Sequence, residues 1–369
     1  MELEIQKFLR AGGSFTQLSD KYGIISKRSS DYPELVLFKY SQIDSPMGEQ
    51  IVQECRGIIL NGDDNWSVIA RPYNKFFNNN EGHAAEIDWT SAKVYDKLDG
   101  SLMTLYWYDG WRVASSGNPD ASGEVWNGLG KTITFKDLFW QTFKELNYQL
   151  PYTALETNLS FMFELMTPYN KVVVHHTKPR LVLHGVRNIK TGKETSIDCF
   201  GIYNWELCKT YDFSSIEEVV HNADQLEPIK YEGYVIADSN FNRIKVKSPA
   251  YVALHHLRDS LSARRMLEIV RSNEGSEFLT YFPEFEELYL DVRNKYDELV
   301  AYLVCQLCEI EVYLKSKGCL TRKDLGLHTK GKFYQGIMFR IIFDNKDLKE
   351  CLSTMSIRKL ESWIQEVNE

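Results

Sequence analysis

Lys97-Leu98-Asp99-Gly100-Ser101 stands between two short β-type runs, Val94-Tyr95 before it and Leu102 to Tyr108 after it. A lysine at such a junction becomes a nucleophile once its amine is neutral, and nearby cations and a metal lower its pKa toward that state. If its target is the α-phosphate of a nucleotide, the chain must also supply cations for the phosphates and carboxylates for a divalent ion. So short a motif recurs by chance, and it carries weight only if those parts follow at workable spacing.

Outward from the motif the chain is strand-rich. Leu102 to Tyr108 turns at Asp109-Gly110 into Trp111 to Ala114. Upstream, Glu4 to Leu9 reads as a short helix, followed by a Gly12-Gly13 turn and a polar loop ending at Pro33. Leu35 to Tyr40 reads as the first firm strand, and Arg56 to Leu60 pairs with Trp66 to Arg71 as a hairpin. Arg71 to Asn78 mixes Pro72 with Arg, Lys and aromatics, which suits either a snorkelling surface loop or phosphate and base contacts. Downstream, Phe135 to Leu146 has helical spacing, Phe161 to Met166 and Leu181 to Val186 read as strands, and Ser214 to His221 reads as a helix. Glu232 to Ala237 and Arg243 to Lys247 form a last hairpin. At Pro249 the character changes, and helical stripes follow in Phe285 to Leu303, Phe333 to Phe343 and Leu348 to Val367. The expectation is an α+β domain of antiparallel sheets with helices over residues 1–249, then an all-helical domain over residues 250–369.

Candidates for each part follow from residue type. Arg56, Lys75, Lys245 and Lys247 would hold phosphates, the last two being two apart on a strand and so on one face. Asp99, Glu164 and Glu232 are carboxylates at strand or hairpin positions inside apolar runs, where each needs a cation, a hydroxyl or a metal. His175-His176 and His255-His256 are adjacent pairs whose members point to opposite faces of a strand. The lone Cys305-x-x-Cys308 lies on a helical stretch and reads as buried small hydrophobes rather than a zinc site.

Composition narrows the class. Hydrophobic content of 43% and charged content of 25% are ordinary for a soluble globular protein, and no apolar run reaches spanning length. The start of the chain shows no secretory pattern, and seven scattered cysteines fit reduced thiols, so an intracellular setting is expected. A net charge of −8 argues against a protein that coats nucleic acid non-specifically, though not against an enzyme with its positive charge gathered in one cleft.

These residues resemble the covalent nucleotidyltransferases, and more narrowly the RNA ligase 1 family of the T-even phages. The matching stretches are Glu54 to Ile58, Arg71-Pro72 with Lys75 to Asn78, Lys97 to Ser101, Phe163-Glu164, and Pro168 with Asn170 to Val173. They continue through Val186-Arg187, Glu232 to Val235, Lys245 to Ser248, and Tyr251. The resemblance implies an ATP-dependent RNA ligase. In it Lys97 takes AMP from ATP, passes it to an RNA 5′-phosphate, and a 3′-hydroxyl displaces the AMP to seal single-stranded RNA or a broken tRNA loop. It further implies Tyr40 packed at the nucleotide, Glu164 at the ribose or metal waters, and Arg56, Lys75, Lys245 and Lys247 on the phosphates. Asp99 and Glu232 would order Mg²⁺ or Mn²⁺, and Tyr251 would line the same site. The setting implied is a cytoplasm, with a phage-encoded protein acting in a host cell; a monomer is expected because no stretch reads as a coiled coil.

Two positions depart from the family. Ser116-Gly117-Asn118 stand where relatives carry a basic residue before Gly-Ser, and Lys171 stands where many carry arginine. The family's metal-binding acid of the helical domain has Glu274 and Glu277 among its candidates. Lys315, Lys317, Arg322, Lys323, Lys330 and Lys332 fit RNA-backbone contacts and a solvated loop equally. Two other readings stand beside the ligase. One is a DNA ligase or guanylyltransferase, disfavoured because residues 250–369 lack the strands of an OB barrel. The other is a non-catalytic RNA-end-binding protein descended from a ligase.

Overall fold

The computed structural model describes residues 2–126, 132–170, 172–174, 176–256, 263–281, 283–316 and 321–368. Lys171, His175 and Lys317 lie outside the described residues. The chain divides into two compact units, Met1–His255 and His256–Glu369.

The first unit carries three larger sheets, each with helices of its own. An antiparallel meander joins Ile24–Arg28, Leu35–Tyr40, Arg56–Asn61 and Ser67–Ala70. Its second strand is almost wholly apolar rather than alternating, because both of its faces are covered. Val36 and Phe38 pack with Ile5, Leu9 and Leu18, whereas Leu35 and Leu37 pack with Ile59, Tyr106 and Ala114. The largest sheet runs in the order Glu194–Thr195, Arg180–Asn188, Leu159–Met166, Ser101–Trp107 and Trp111–Ser115, with the helix Phe135–Glu145 in its core. The third runs Thr210–Tyr211, Lys93–Lys97, Gly233–Ala237, Arg243–Lys247 and Phe77–Asn78, and Val219 and Ala223 of the helix Ile216–Asp224 join its core.

The predicted loop before Pro33 is instead a second helix, Phe15–Tyr22, and a strand, Ile24–Arg28. Ser14 starts that helix: its hydroxyl accepts from the Gln17 amide while the Gln17 side chain accepts from the Ser14 N–H, so two otherwise orphaned donors are satisfied. Gly23 ends it in a left-handed conformation.

The second unit is helical throughout its described elements, dominated by Glu286–Ser316. Tyr289, Val292, Tyr296, Leu299 and Leu303 form the buried stripe of that helix and meet Met266, Leu267 and Val270 of Ala263–Arg271. The single helix expected over Leu348 to Val367 is two, Leu348–Ser353 and Ile357–Asn368. The Ser353 and Thr354 hydroxyls donate back to the Glu350 carbonyl, competing with helical continuation there.

Candidate active site

The Lys97 motif is a crossing between two sheets. Lys97 is the last residue of Lys93–Lys97 in the third sheet, and Ser101 is the first of Ser101–Trp107 in the largest. Gly100 makes the crossing possible, because a Cβ there would lie 2.4 Å from the Leu165 carbonyl oxygen. The loop after Leu159–Met166 fastens the motif: the Asn170 amide donates to Ser101 Oγ at 2.9 Å and to the Leu165 carbonyl at 2.7 Å.

Register places the nucleophile's partner. Gly233 stands opposite both Lys97 and Lys247, so the preceding residue, Glu232, reaches both ammonium groups. Glu232 Oε2 lies 2.7 Å from Lys97 Nζ and Oε1 lies 3.5 Å from Lys247 Nζ. Only glycine fits at 233, since a Cβ would stand 2.1 Å from the Val246 carbonyl oxygen. The Glu232 carboxylate is buried between two cations, where a charge-assisted bond is strongest.

Lys97 opens onto a cavity of about 320 Å³, a size suited to a nucleotide-scale ligand. Tyr40, Arg56 and Glu164 share its lining with Lys97. Glu164 faces it because alternation turns the flanking Phe163 and Leu165 into the core. Its Oε2 lies 3.5 Å from His184 Nε2, and the His184 ring stacks on Tyr73 at 5.5 Å between centroids. Arg56 lies over the Phe76 ring at 5.2 Å. The Lys75 ammonium sits 5.2 Å from the Tyr40 ring and 5.3 Å from the Phe77 ring. Lys245 shares a strand face with Arg243 and Lys247 but is not among the residues lining this cavity.

Asp99 is placed differently from the other carboxylates. Its Oδ2 accepts from the Val173 and Val174 amides at 2.9 and 2.6 Å, and its Oδ1 accepts from the Tyr251 hydroxyl at 2.9 Å. His176 Nε2 lies 2.8 Å from the Asp99 carbonyl oxygen. Asp99 and Tyr251 therefore form a buried clasp, and neither lines the cavity. The expected trio of Asp99, Glu164 and Glu232 does not converge: among the described residues no three His, Cys, Asp or Glu side chains stand close enough to hold a metal. Asp99 is spent on amides and a phenol, and Glu232 on two ammonium groups. Glu164, on the cavity wall, is the carboxylate of the three that would be left to hold a divalent ion, which would neutralise charge on substrate phosphates.

Sequence reasoning misses three lining residues. Lys39 stands opposite Arg56 across an irregularity in the pairing and has no hydrogen bond or ion pair among the described residues. Burial lowers its pKa, with Arg56 adding to the effect. A Cβ on Gly117 would lie 3.4 Å from its Nζ, so this ammonium reaches the turn where Ser116 replaces the family's basic residue. Arg243 is paired with Glu194 at 2.7 and 3.0 Å, and its Cζ lies 4.0 Å from the Tyr73 ring centroid. Burial opposes its charge, but Glu194 more than offsets this and the pKa rises. His184, the third, is hidden in the strand Arg180–Asn188.

The Cys305 and Cys308 thiols are free and exposed, which corrects their reading as buried hydrophobes. Among the described residues, no helix is long and apolar enough to cross a membrane.

Comparison with known proteins identifies the family. The sequence profile of the T4-type RNA ligase 1 family, described as RNA ligase, matches residues 54–251. An RNA ligase of Rhodothermus phage RM378 is 28% identical over 342 residues, covering 74% of this chain and 77% of that protein. A putative bifunctional polynucleotide kinase/RNA ligase of Autographa californica nuclear polyhedrosis virus is 29% identical over 313 residues. That match covers 78% of this chain, and the chain spans only 43% of the viral protein. Among solved structures, an archaeal ATP-dependent RNA ligase covers 98% of this chain and aligns with 79% of its own, at 12% identity and a TM-score of 0.45, too distant a likeness to build on. The profile spans more than half of the sequence and includes Lys97, Glu164 and Glu232, and the chain belongs to the RNA ligase family.

Proposed function

We propose that this chain is an ATP-dependent RNA ligase that joins RNA 5′-phosphate and 3′-hydroxyl ends through a lysyl-AMP on Lys97. The contact that carries this reading is Lys97 Nζ on the buried Glu232 carboxylate at 2.7 Å, at the wall of a cavity that also holds Arg56 and Glu164. Glu232 takes the proton from the Lys97 ammonium. The freed amine attacks the α-phosphorus of ATP, the new P–N bond forms as the bond to pyrophosphate breaks, and the nitrogen releases a second proton to solvent to leave the phosphoramidate. Arg56 and Lys39, with Lys75 adjoining, neutralise the charge that builds on the phosphates. An oxygen of the RNA 5′-phosphate then attacks the lysyl-AMP phosphorus, and Glu232 returns the proton as the P–N bond breaks. The 3′-hydroxyl finally attacks the activated 5′-phosphate, its proton passes to solvent, the phosphodiester forms and AMP leaves.

Mg²⁺ or Mn²⁺, held at Glu164, would supply charge neutralisation of phosphate oxygens. Asp99 and Tyr251 act by holding the motif rather than by touching substrate. The first unit carries the adenylyl transfer, the helical unit contributes to RNA choice, and the enzyme works as an intracellular monomer on single-stranded or loop-broken RNA.

The test is α-labelled ATP with a magnesium salt, followed by denaturation, and then sealing of a 5′-phosphorylated oligoribonucleotide. Label on the chain from ATP, with sealed product, supports the proposal. Label from GTP moves the reading to capping. RNA binding with no label from any nucleotide leaves the non-catalytic reading.

A further inference from the structure

Beside the nucleotide cavity lies a second cleft of about 450 Å³, and the two share Phe76 and Arg243 in their walls. Its cations are Arg71, Lys75, Arg187, Lys193 and Arg243, and Glu194 is the one carboxylate among its described lining residues. That carboxylate is taken by Arg243. The cations outnumber the carboxylate charge inside the cleft, and the nearby Glu54 and Glu194 offset only part of the burial cost of Arg71.

Two of the cations are buried at a cost. Arg71 is 7% exposed, its guanidinium makes no hydrogen bond among the described residues, and its Nε is enclosed without a partner. Arg187 is 9% exposed and donates only to neutral groups: the Gly192 carbonyl at 2.9 Å, the Pro72 carbonyl at 2.9 Å and Asn74 Oδ1 at 3.0 Å. Burial lowers the pKa of both, and Arg71 adds its own repulsion to push Arg187 down to about 10. An enclosed cation whose neighbouring carboxylates do not offset its burial, and which makes no hydrogen bond, destabilises a fold, and replacing one by an apolar residue of like size is often neutral or stabilising. Stabilisation therefore does not account for Arg71. A transient anion does.

We propose that this cleft binds phosphate groups of the substrate, with Arg71, Arg187 and Lys193 as its ligands. The inference rests on the ligase reading for the identity of the substrate. Two sources offer this chemistry: the backbone of the RNA whose 5′ end enters the neighbouring cavity, and the triphosphate tail of ATP. Lys193 is exposed at the rim, and the Lys75 ammonium in the cleft lies 5.2 Å from the Tyr40 ring of the nucleotide cavity, so the two spaces adjoin.

The experiment uses the full chain with two variants, Arg71→Met in the wall and Lys193→Glu at the rim. Three quantities are read: the thermal midpoint, lysyl-AMP formation against ATP concentration, and binding of a 5′-phosphorylated oligoribonucleotide by anisotropy at two salt concentrations. The expected result is that Arg71→Met melts no lower than the parent while RNA affinity falls about tenfold or more and its salt dependence becomes shallower. Lys193→Glu weakens RNA in the same direction, and its exposed position keeps the test valid if Arg71→Met does not fold. A rise in the ATP requirement with RNA affinity intact assigns the cleft to the triphosphate instead. An Arg71→Met protein that melts lower, with neither ligand affected in either variant, overturns the proposal and makes Arg71 structural. If the parent takes no label from ATP, the ligase reading fails, but the anisotropy arm still judges the cleft.

Discussion

The two units of this chain bury different things. Among the described residues, the second unit encloses one polar side chain, Thr329, whose hydroxyl is satisfied by the Leu325 carbonyl. Its ion pairs lie outside, as in Arg293–Asp297 and Lys295–Asp291, one helical turn apart. Such pairs contribute little to stability, so its fold rests on the apolar stripes. The first unit encloses Glu54, Arg71, Asp99, Arg187 and Glu232. Charges cost free energy when taken from water, and a small domain has little stability to spare. The contrast is between a unit that encloses charged side chains and one whose enclosed side chains are almost all apolar among the described residues.

Replacing Glu232 by glutamine tests the contrast where it is sharpest. The Lys97 ammonium then loses its proton acceptor, and lysyl-AMP formation falls by about 10²–10⁴ in single-turnover labelling, with the fold retained by circular dichroism. An unchanged rate would reduce the Lys97–Glu232 pair to a structural bridge. Gly233→Ala strikes the same place through the backbone. Its Cβ cannot share space with the Val246 carbonyl 2.1 Å away, and unfolding stability in urea falls by about 3 kcal/mol or more.

Glu54 carries a smaller and pH-dependent effect. Burial raises its pKa, against bonds from the Ile5 amide and Gln50 that lower it. Since the folded-state pKa exceeds the unfolded one, its ionised form disfavours folding. That penalty is fully present above the folded pKa and relaxes as pH falls through it toward the unfolded value of about 4.3. Glu54→Gln therefore raises the thermal midpoint at pH 7, and the gain shrinks as the pH is lowered through the raised value. The second unit supplies the mildest case. Gly336 lies in the helix Gln335–Asp344 with open space where a Cβ would go, so Gly336→Ala stabilises by up to about 1 kcal/mol and leaves labelling untouched.

The same contrast explains what can be read in the chain. Periodicity reports burial of apolar groups, and it locates the long helix Glu286–Ser316 and the strands around Lys97. It fails for Ile24–Arg28, a mostly exposed strand, and for Phe15–Tyr22, whose only legible signal is the Ser14 and Gln17 pair at its start. A structureless stretch from Gly13 to Pro33 is itself improbable inside a compact unit. In the site, Lys97 and Glu232 are legible because motif spacing survives in a single sequence. Lys39 and Arg243 are not: the place of Lys39 depends on an irregular register with Arg56 on the next strand, and that of Arg243 on Glu194, far from it in the chain. The destination of Asp99 is equally hidden. Its carboxylate is taken by the amides of Val173 and Val174 and by Tyr251, contacts that close only in the folded unit.

The most direct measurement is peptide mapping by mass spectrometry after incubation with ATP and magnesium, without RNA. AMP on the peptide that contains Lys97, absent from Lys97→Ala and removed by added pyrophosphate, is the predicted result. AMP on another residue, or none on a folded chain that retains the Lys97–Glu232 contact, would contradict the account.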